Sequence, residues 1–223
     1  MFETAIFDWD GTLADTKRAI VASFQKALKQ IHCEVNDDFI LRLIGTGAKN
    51  TFKEALKAAK IQFDDEMLEE LVKKKVQTGI ELTGTVELFE GAVDILNSLR
   101  EKVRVALASM SSREIIDKIL EEKKIREYFD VIITVDEVRR PKPDPEIFLK
   151  CAAALKCPPE RCVVLEDSIF GVEAAKKAKM KCIAVLTGAY SRDELERMNP
   201  DVIVNSLKER AKILNFILDQ QSR

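Results

Sequence analysis

The first strand-like run of this chain, Ala5 to Phe7, is followed by a long block, residues 16–83, with no strand signal at all. Inside the block only helical spacing recurs. Ile20, Phe24, Ala27, Leu28 and Ile31 form one stripe behind Thr16, a plausible N-cap. A short helix fits 38–44, Phe52, Leu56 and Ala59 mark another, and Met67, Leu68, Leu71 and Val72 line a long helix over 64–82. From Glu87 onward the pattern alternates. Strand-like runs at 103–108, 131–135, 162–165, 182–186 and 202–204 are separated by helix-like segments at 91–99, 112–122, 169–178 and 192–197, with another beginning near Pro145 and a last one over 207–218. Strands alternating with helices imply βαβ units and a parallel sheet covered by helices on both faces. The isolated first strand must join the five later ones. The expected fold is therefore α/β, a doubly wound parallel sheet built from residues 1–15 and 84–223, with residues 16–83 forming an all-helical inserted domain.

Where the first strand ends, chemistry begins. Phe7 is followed by Asp8-Trp9-Asp10-Gly11-Thr12, two carboxylates one residue apart in a turn. At about 4 Å and an effective dielectric near 20, two such charges repel by roughly 4 kcal/mol. A proton or a cation between them removes that cost. Mg²⁺, which takes oxygen ligands and keeps several waters, is the natural candidate. Three more polar groups follow later strands in the same way: Ser109 after 103–108, Lys142 on the loop beyond 131–135, and Glu166-Asp167 after 162–165. In open α/β sheets ligands bind at the carboxyl ends of strands, so parallel strands bring these loops to one edge.

Composition narrows the chemistry. A net charge of −2 gives no global attraction for nucleic acid or anionic lipid. There is one histidine, His32, in the helical block and away from the strand ends, which leaves acyl transfer without a base. The five cysteines, Cys33, Cys151, Cys157, Cys162 and Cys182, form no CxxC pair and sit mostly in apolar stretches, so they read as small buried hydrophobes in a reducing compartment. No GxGxxG or GxxxxGK[ST] run follows any strand. No apolar run approaches the roughly 20 residues of a membrane helix. The chain enters its first strand without the basic and apolar regions of a signal peptide, so a cytoplasmic protein, monomeric by default, is expected. Carboxylates, one cation, one hydroxyl and room for a metal suit phosphoryl transfer, which needs charge neutralised and groups held in line.

The run Asp8-Trp9-Asp10-Gly11-Thr12 resembles the first motif, DxDGT, of the haloacid dehalogenase-like (HAD) phosphohydrolases, and Ser109, Lys142 and Glu166-Asp167 match that family's later motifs in order. The resemblance spans essentially the whole chain and implies a Rossmann-like HAD core with a C1-type helical cap. It also implies roles. Asp8 attacks phosphorus and becomes an aspartyl-phosphate. Asp10 protonates the leaving alcohol and then deprotonates the attacking water. Ser109 and Lys142 bind phosphoryl oxygens, and Asp8, Asp167 and the backbone carbonyl of Asp10 hold Mg²⁺, with Glu166 assisting. Backbone N–H groups around Trp9 to Gly11 are expected to cradle the phosphate. Taken singly, Ser109 also fits a helix cap, Lys142 a solvated loop lysine, and Glu166-Asp167-Ser168 the start of the next helix, where Ser168 suits the N-cap position.

Asp10 is the second acid that haloacid dehalogenases lack, which argues against dehalogenation. The run Glu166-Asp167-Ser168-x-x-Gly171-Val172 is similar to the branch of phosphoglycolate phosphatase-like and β-phosphoglucomutase-like enzymes. The mutases of that branch carry a histidine where this chain has Ile20, which favours a phosphatase acting on a small phosphorylated metabolite. A phosphomutase and a catalytically silent binding or regulatory protein remain the alternatives. In the helical block, Gly45-Thr46-Gly47-Ala48-Lys49-Asn50 resembles the cap loop of phosphoglycolate phosphatases. Its glycines permit close backbone approach, and Lys49 is the expected contact to an anionic substrate group. The same residues also read, more simply, as a helix-terminating turn with an exposed lysine.

Overall fold

The structure is a computed structural model that describes residues 2–218. Six strands form one parallel sheet: β1 (Thr4–Phe7), β4 (Arg104–Ala108), β5 (Val131–Ile133), β6 (Cys162–Glu166), β7 (Lys181–Val185) and β8 (Val202–Val204). Their order is β5-β4-β1-β6-β7-β8. The chain thus builds outward from β1 on one side, through β4 and β5, then returns to lay β6, β7 and β8 on the other. β1 is the point where that order reverses, the position at which open α/β sheets bind ligands. Its register is set on both sides, with Phe7 opposite Leu107 of β4 and Leu165 of β6. All four residues of β1 are buried, as a central strand covered on both faces requires.

The period of two along each strand sorts side chains into two apolar layers. Ala5, Phe7, Val105, Leu107, Val163 and Leu165 join one layer, closed by α5 (Ala92–Leu99), α6 (Arg113–Glu122) and α10 (Arg210–Leu218). Ile6, Ala106, Ala108 and Val164 face the opposite layer, closed by α7 (Glu146–Ala154), α8 (Ile169–Lys177) and α9 (Arg192–Arg197). Each fully buried Phe, Ile or Leu contributes about 2 kcal/mol of apolar transfer energy. All five cysteines are free thiols and buried. The sulfurs of Cys157 and Cys162 lie 3.6 Å apart at the amino end of β6.

The insert contains α1 (Lys17–Lys29), α2 (Asp37–Leu41), α3 (Ala48–Ala58) and α4 (Asp65–Glu81). They enclose a third apolar cluster, in which Phe24 and Phe52 meet at 4.8 Å between ring centroids. Asp64 caps α4 by accepting from the Met67 N–H at 2.8 Å. Two details differ from the sequence reading. Thr16 occupies the N-cap position of α1, but its hydroxyl makes no capping bond and is buried without a partner. The helix expected over 38–44 stops at Leu41, because Leu43 turns its carbonyl to the Thr46 N–H and hydroxyl ahead of Gly45 and Gly47. Both glycines have positive φ, a backbone that a β-carbon disfavours. The two crossings between insert and core are tied by a pair of two-residue antiparallel strands, β2 (Ala14–Asp15) and β3 (Glu87–Leu88), too short to show a period in the sequence.

Candidate active site

The carboxyl ends of β1, β4 and β6 and the loop beyond β5 converge on one point. Lys142 comes from an irregular loop that three prolines, Pro141, Pro143 and Pro145, keep out of helix and strand. Its side chain is 1% exposed, so the solvated-lysine alternative is ruled out. The ammonium donates to Asp8 Oδ1 at 2.5 Å and to Glu166 Oε1 at 2.7 Å, and it lies 4.9 Å from the centre of the Phe148 ring. Glu166 Oε2 accepts from the Ser168 N–H at 2.7 Å and from its hydroxyl at 2.9 Å. Ser168 caps α8 as expected, accepting from the Gly171 N–H at 3.0 Å. Glu166, expected to assist a metal, has both oxygens bonded to protein donors, Oε1 to Lys142 and Oε2 to Ser168. A β-carbon on Gly171 would fall 1.8 Å from the Glu166 carboxyl, so this position requires glycine.

Asp10 points to the other side of the turn. Its Oδ2 accepts from the Ser111 hydroxyl at 2.9 Å and from the Ser109 hydroxyl at 3.2 Å. Ser111 is a member that sequence reasoning missed; it sits two residues beyond Ser109, on the same turn, and donates its N–H to Ser109 Oγ at 3.0 Å. Asp167 accepts from the Thr12 hydroxyl at 2.8 Å. Two glycines enclose its carboxylate: a β-carbon on Gly11 would lie 2.4 Å, and one on Gly188 2.0 Å, from Asp167 Oδ2. Trp9 is fully buried in the apolar layer, so only its backbone faces the site. Gly11, expected to help cradle a phosphate, donates its N–H to the Ala14 carbonyl at 2.9 Å to close the turn. Among the described residues the N–H groups of Trp9, Asp10 and Met110 have no acceptor, which makes these three the available cradle.

The charges at this point do not balance. Four carboxylates, Asp8, Asp10, Glu166 and Asp167, surround one buried cation, Lys142. Burial, only partly countered by Lys142, and repulsion from Glu166, Asp167 and Asp10 push the Asp8 carboxyl well above its usual range. Burial and Glu166 push Asp167 up as well. Lys142 moves up too: burial opposes its charge, and the two carboxylates against it more than restore it. These directions agree with each other, because a site short of positive charge favours every proton it holds. Among the described residues no three Asp, Glu, His or Cys side chains converge as a ready-made metal cluster. Two carboxylates plus a main-chain carbonyl is nevertheless the sort of sparse set that Mg²⁺ completes with water and substrate oxygens. Asp8 and Asp167, both undercompensated, with Asp167 seated between two glycines, fit that cation.

The insert closes over this point. A small cavity of about 20 Å³ is lined by Asp10 and Ser111 from the core and by Ile20, Phe24, Gly45, Gly47 and Lys75 from the insert, among others. Lys75 is 5% exposed and lies 5.6 Å from the centre of the Phe24 ring. Among the described residues no carboxylate reaches it within an ion-pair distance; burial pulls its pKa down, and Asp10 is the charge that holds it up. The sequence run Lys73-Lys74-Lys75 hid it, yet a signal was present. Leu68, Leu71, Lys75 and Thr78 are the buried positions of α4, at helical spacing, so Lys75 falls on the apolar stripe. Lys49 does not line this cavity. It is exposed, pairs with Asp65 at 3.0 Å, and borders a separate space next to it.

The sequence signature described as haloacid dehalogenase-like hydrolase matches residues 5–185. The pyrophosphatase PpaX of Bacillus mycoides is 26% identical over 96% of this chain and 97% of its own. The crystal structure of a hydrolase from Pseudomonas syringae superposes with a TM-score of 0.89 at 28% identity, covering 97% of this chain and all of that one. A mutant of CbbY from Rhodobacter sphaeroides, in complex with xylulose-(1,5)-bisphosphate, superposes with a TM-score of 0.82 at 29% identity, over 94% of this chain and 96% of that one.

Proposed function

The chain belongs to the haloacid dehalogenase-like hydrolases, and we propose that it is a Mg²⁺-dependent phosphatase that hydrolyses a small phosphomonoester, in the manner of phosphoglycolate phosphatases, through an aspartyl-phosphate on Asp8. The observation that carries this reading is the division of labour between two aspartates one residue apart. Asp8 is held by a buried lysine, and Asp10 is turned away to two serine hydroxyls. This difference supports reading the first carboxylate as the nucleophile and the second as the group that exchanges a proton with the leaving group.

Asp8 Oδ1 is bound to Lys142, which leaves Oδ2 for attack on phosphorus. Asp10 gives a proton to the departing oxygen and takes one from the water that opens the intermediate. Ser109, Lys142 and the free N–H groups of Trp9, Asp10 and Met110 receive the equatorial phosphoryl oxygens, where charge collects in the transition state. Asp8, Asp167 and the Asp10 carbonyl would hold Mg²⁺, which would supply the positive charge needed to balance the four carboxylates. Residues 16–83 act as a cap over a core of residues 1–15 and 84–223. The cap excludes water and reads the leaving group, and Lys75 is its cation at the reaction centre. A narrow space with one lysine suits a compact, anionic leaving group.

Two observations bear on neighbouring readings. The pyrophosphatase relative matches along nearly its whole length, and inorganic pyrophosphate also has a small anionic leaving group. Ile20 lines the cavity beside Asp10 and carries no proton, which counts against a mutase. The test is phosphate release from a panel of phosphoglycolate, pyrophosphate, sugar phosphates and an aryl phosphate, with Mg²⁺ and with a chelator. Mg²⁺-dependent release that is highest for compact anionic substrates supports the reading. No release from any of them under any divalent metal refutes it.

A further inference from the structure

Beside the reaction centre lies a second and much larger cavity, of about 360 Å³, between the insert and the core. It is in the range of small-molecule sites. One wall is the start of α3, with Lys49 and Lys53; the other is the loop beyond β5, with Val138, Arg139 and Pro141. Met110 forms part of the floor. The cavity meets the reaction centre only at Gly47, Ala48 and Met110, which line both spaces. That partition is tight: a β-carbon on Gly47 would lie 3.3 Å from Met110 Cε and 3.7 Å from Pro141 Cβ.

The lining is chemically one-sided. Three basic side chains face the space and no carboxylate lines it. Lys49 is partly neutralised at the rim by Asp65 at 3.0 Å and Glu69 at 3.9 Å. Lys53 and Arg139 have no carboxylate partner among the described residues. Like charges held on opposite walls repel, and an anion between them relieves the repulsion. Apart from Thr46 and Asn50, the rest of the lining is apolar, with the Met110 thioether, Val135, Val138 and the Pro141 ring, and the Arg139 guanidinium is suited to stacking on a flat group.

We propose that this cavity is a second ligand site, distinct from the reaction centre, for an organic anion with a flat apolar body. The body lies on Met110, Val138 and Pro141, and the anionic group sits between Lys53 and Arg139. Because these two cations belong to the insert and the core respectively, an occupant ties the two together. The site does not depend on the phosphatase reading, and its test does not use turnover.

The experiment is calorimetric titration of the full chain with naphthalene-1-sulfonate, which has no phosphate to lose. Naphthalene-1-methanol, lacking the charge, and inorganic sulfate, lacking the body, serve as controls. The expected result is that the sulfonate binds at least about tenfold more tightly than either control, and that Lys53→Glu and Arg139→Glu each weaken it by about tenfold or more. The far-UV circular dichroism and the melting temperature of the two variants should match those of the parent, which reports that they fold. Equal binding of the sulfonate and either control, or undiminished binding in both variants, would overturn the proposal. Displacement of the sulfonate by orthovanadate with both variants unaffected would assign the binding to the reaction centre instead, and would overturn it too.

Discussion

The two walls of the reaction centre are built on opposite principles. On the core side every charged side chain is held. Lys142 is bound to Asp8 and Glu166, Glu166 to Ser168, Asp167 to Thr12, and Asp10 to Ser109 and Ser111. On the insert side the one buried cation, Lys75, has an aromatic ring near it and no carboxylate within reach. A bound charge keeps its position through the reaction, as electrostatic preorganisation requires. A buried charge without a partner is a standing cost that an anionic ligand removes. The proposed function assigns the core to chemistry on a phosphoryl group of any origin, and the insert to discrimination among leaving groups.

The sharpest way to break that comparison is to remove the held carboxylate that attacks. Asp8→Asn keeps the shape of the turn and loses the nucleophile, and turnover should fall by about 10³-fold or more. A loss of less than tenfold in steady-state phosphate release would mean that the core wall is not the reacting one.

Lys142→Met tests whether the core wall is held by charge. It leaves Asp8 and Glu166 buried without their cation, and breaking such a buried pair costs about 3–5 kcal/mol. Chemical denaturation of the chelated protein at neutral pH should show that loss. The sign with pH follows from linkage. In the variant, the Asp8 carboxyl loses the charge that lowers it and rises further above its unfolded value, so the folded state binds more protons than the unfolded one. Its stability relative to the parent should then recover as pH falls through the acid range. A deficit that grows on acidification would contradict the account.

Lys75→Met applies the same change to the other wall with the opposite expectation. The protein should unfold at the same denaturant concentration or a slightly higher one, because a buried, unpaired ammonium is replaced by a thioether of similar reach. KM for a compact substrate with an anionic leaving group should rise by about tenfold, and KM for an aryl phosphate whose aryl group is uncharged by less than about twofold. Equal effects on both substrates would end the assignment of Lys75 to the leaving group.

The smallest effect is expected where the walls join at the surface. Arg42 of the insert donates to Glu194 of α9 at 2.6 Å and stacks 4.6 Å from the centre of the Tyr190 ring, whose hydroxyl donates to the Arg42 carbonyl. This contact holds the Glu194 carboxyl down at about 2, against an ordinary value of 4.5. A depressed carboxyl contributes stability above its unfolded pKa and loses it as pH falls through the folded one. Arg42→Ala should lower the melting temperature by only ~1–2 °C near neutrality, with the difference vanishing toward pH 2.

These two walls were also unequally legible in the sequence. All six strands could be read from their short apolar runs, and the four loops that carry Asp8, Ser109, Lys142 and Asp167 from the polar residues that follow some of those runs. The central place of the first strand between β4 and β6, by contrast, is a property of the assembled sheet, which no local pattern records. The bonds of Glu166 to Lys142 and Ser168 were not legible, because sequence shows that a carboxylate is present and not which donors reach it. Gly11 looked available because its turn bond to Ala14 is invisible until the turn closes. Lys75 was hidden by its neighbours, although one residue of a lysine run falling on the apolar stripe of α4 was a usable sign. Lys49, by contrast, stood on a loop whose composition suggested a contact, and its partner Asp65 lies at the start of the next helix. Residues that act through the strand ends announce themselves, whereas residues that act across the insert depend on how two separately folded layers meet.

The most direct test of the central claim is to look for the covalent intermediate on Asp8. The protein is mixed with a phosphorus-radiolabelled phosphoester and Mg²⁺, quenched in acid within one turnover, and counted for label on the chain. Label that is released by hydroxylamine, as an acyl phosphate must be, and that is absent in Asp8→Asn is the predicted result. Turnover of the ester with no label on the chain, or label that persists in Asp8→Asn, would contradict it.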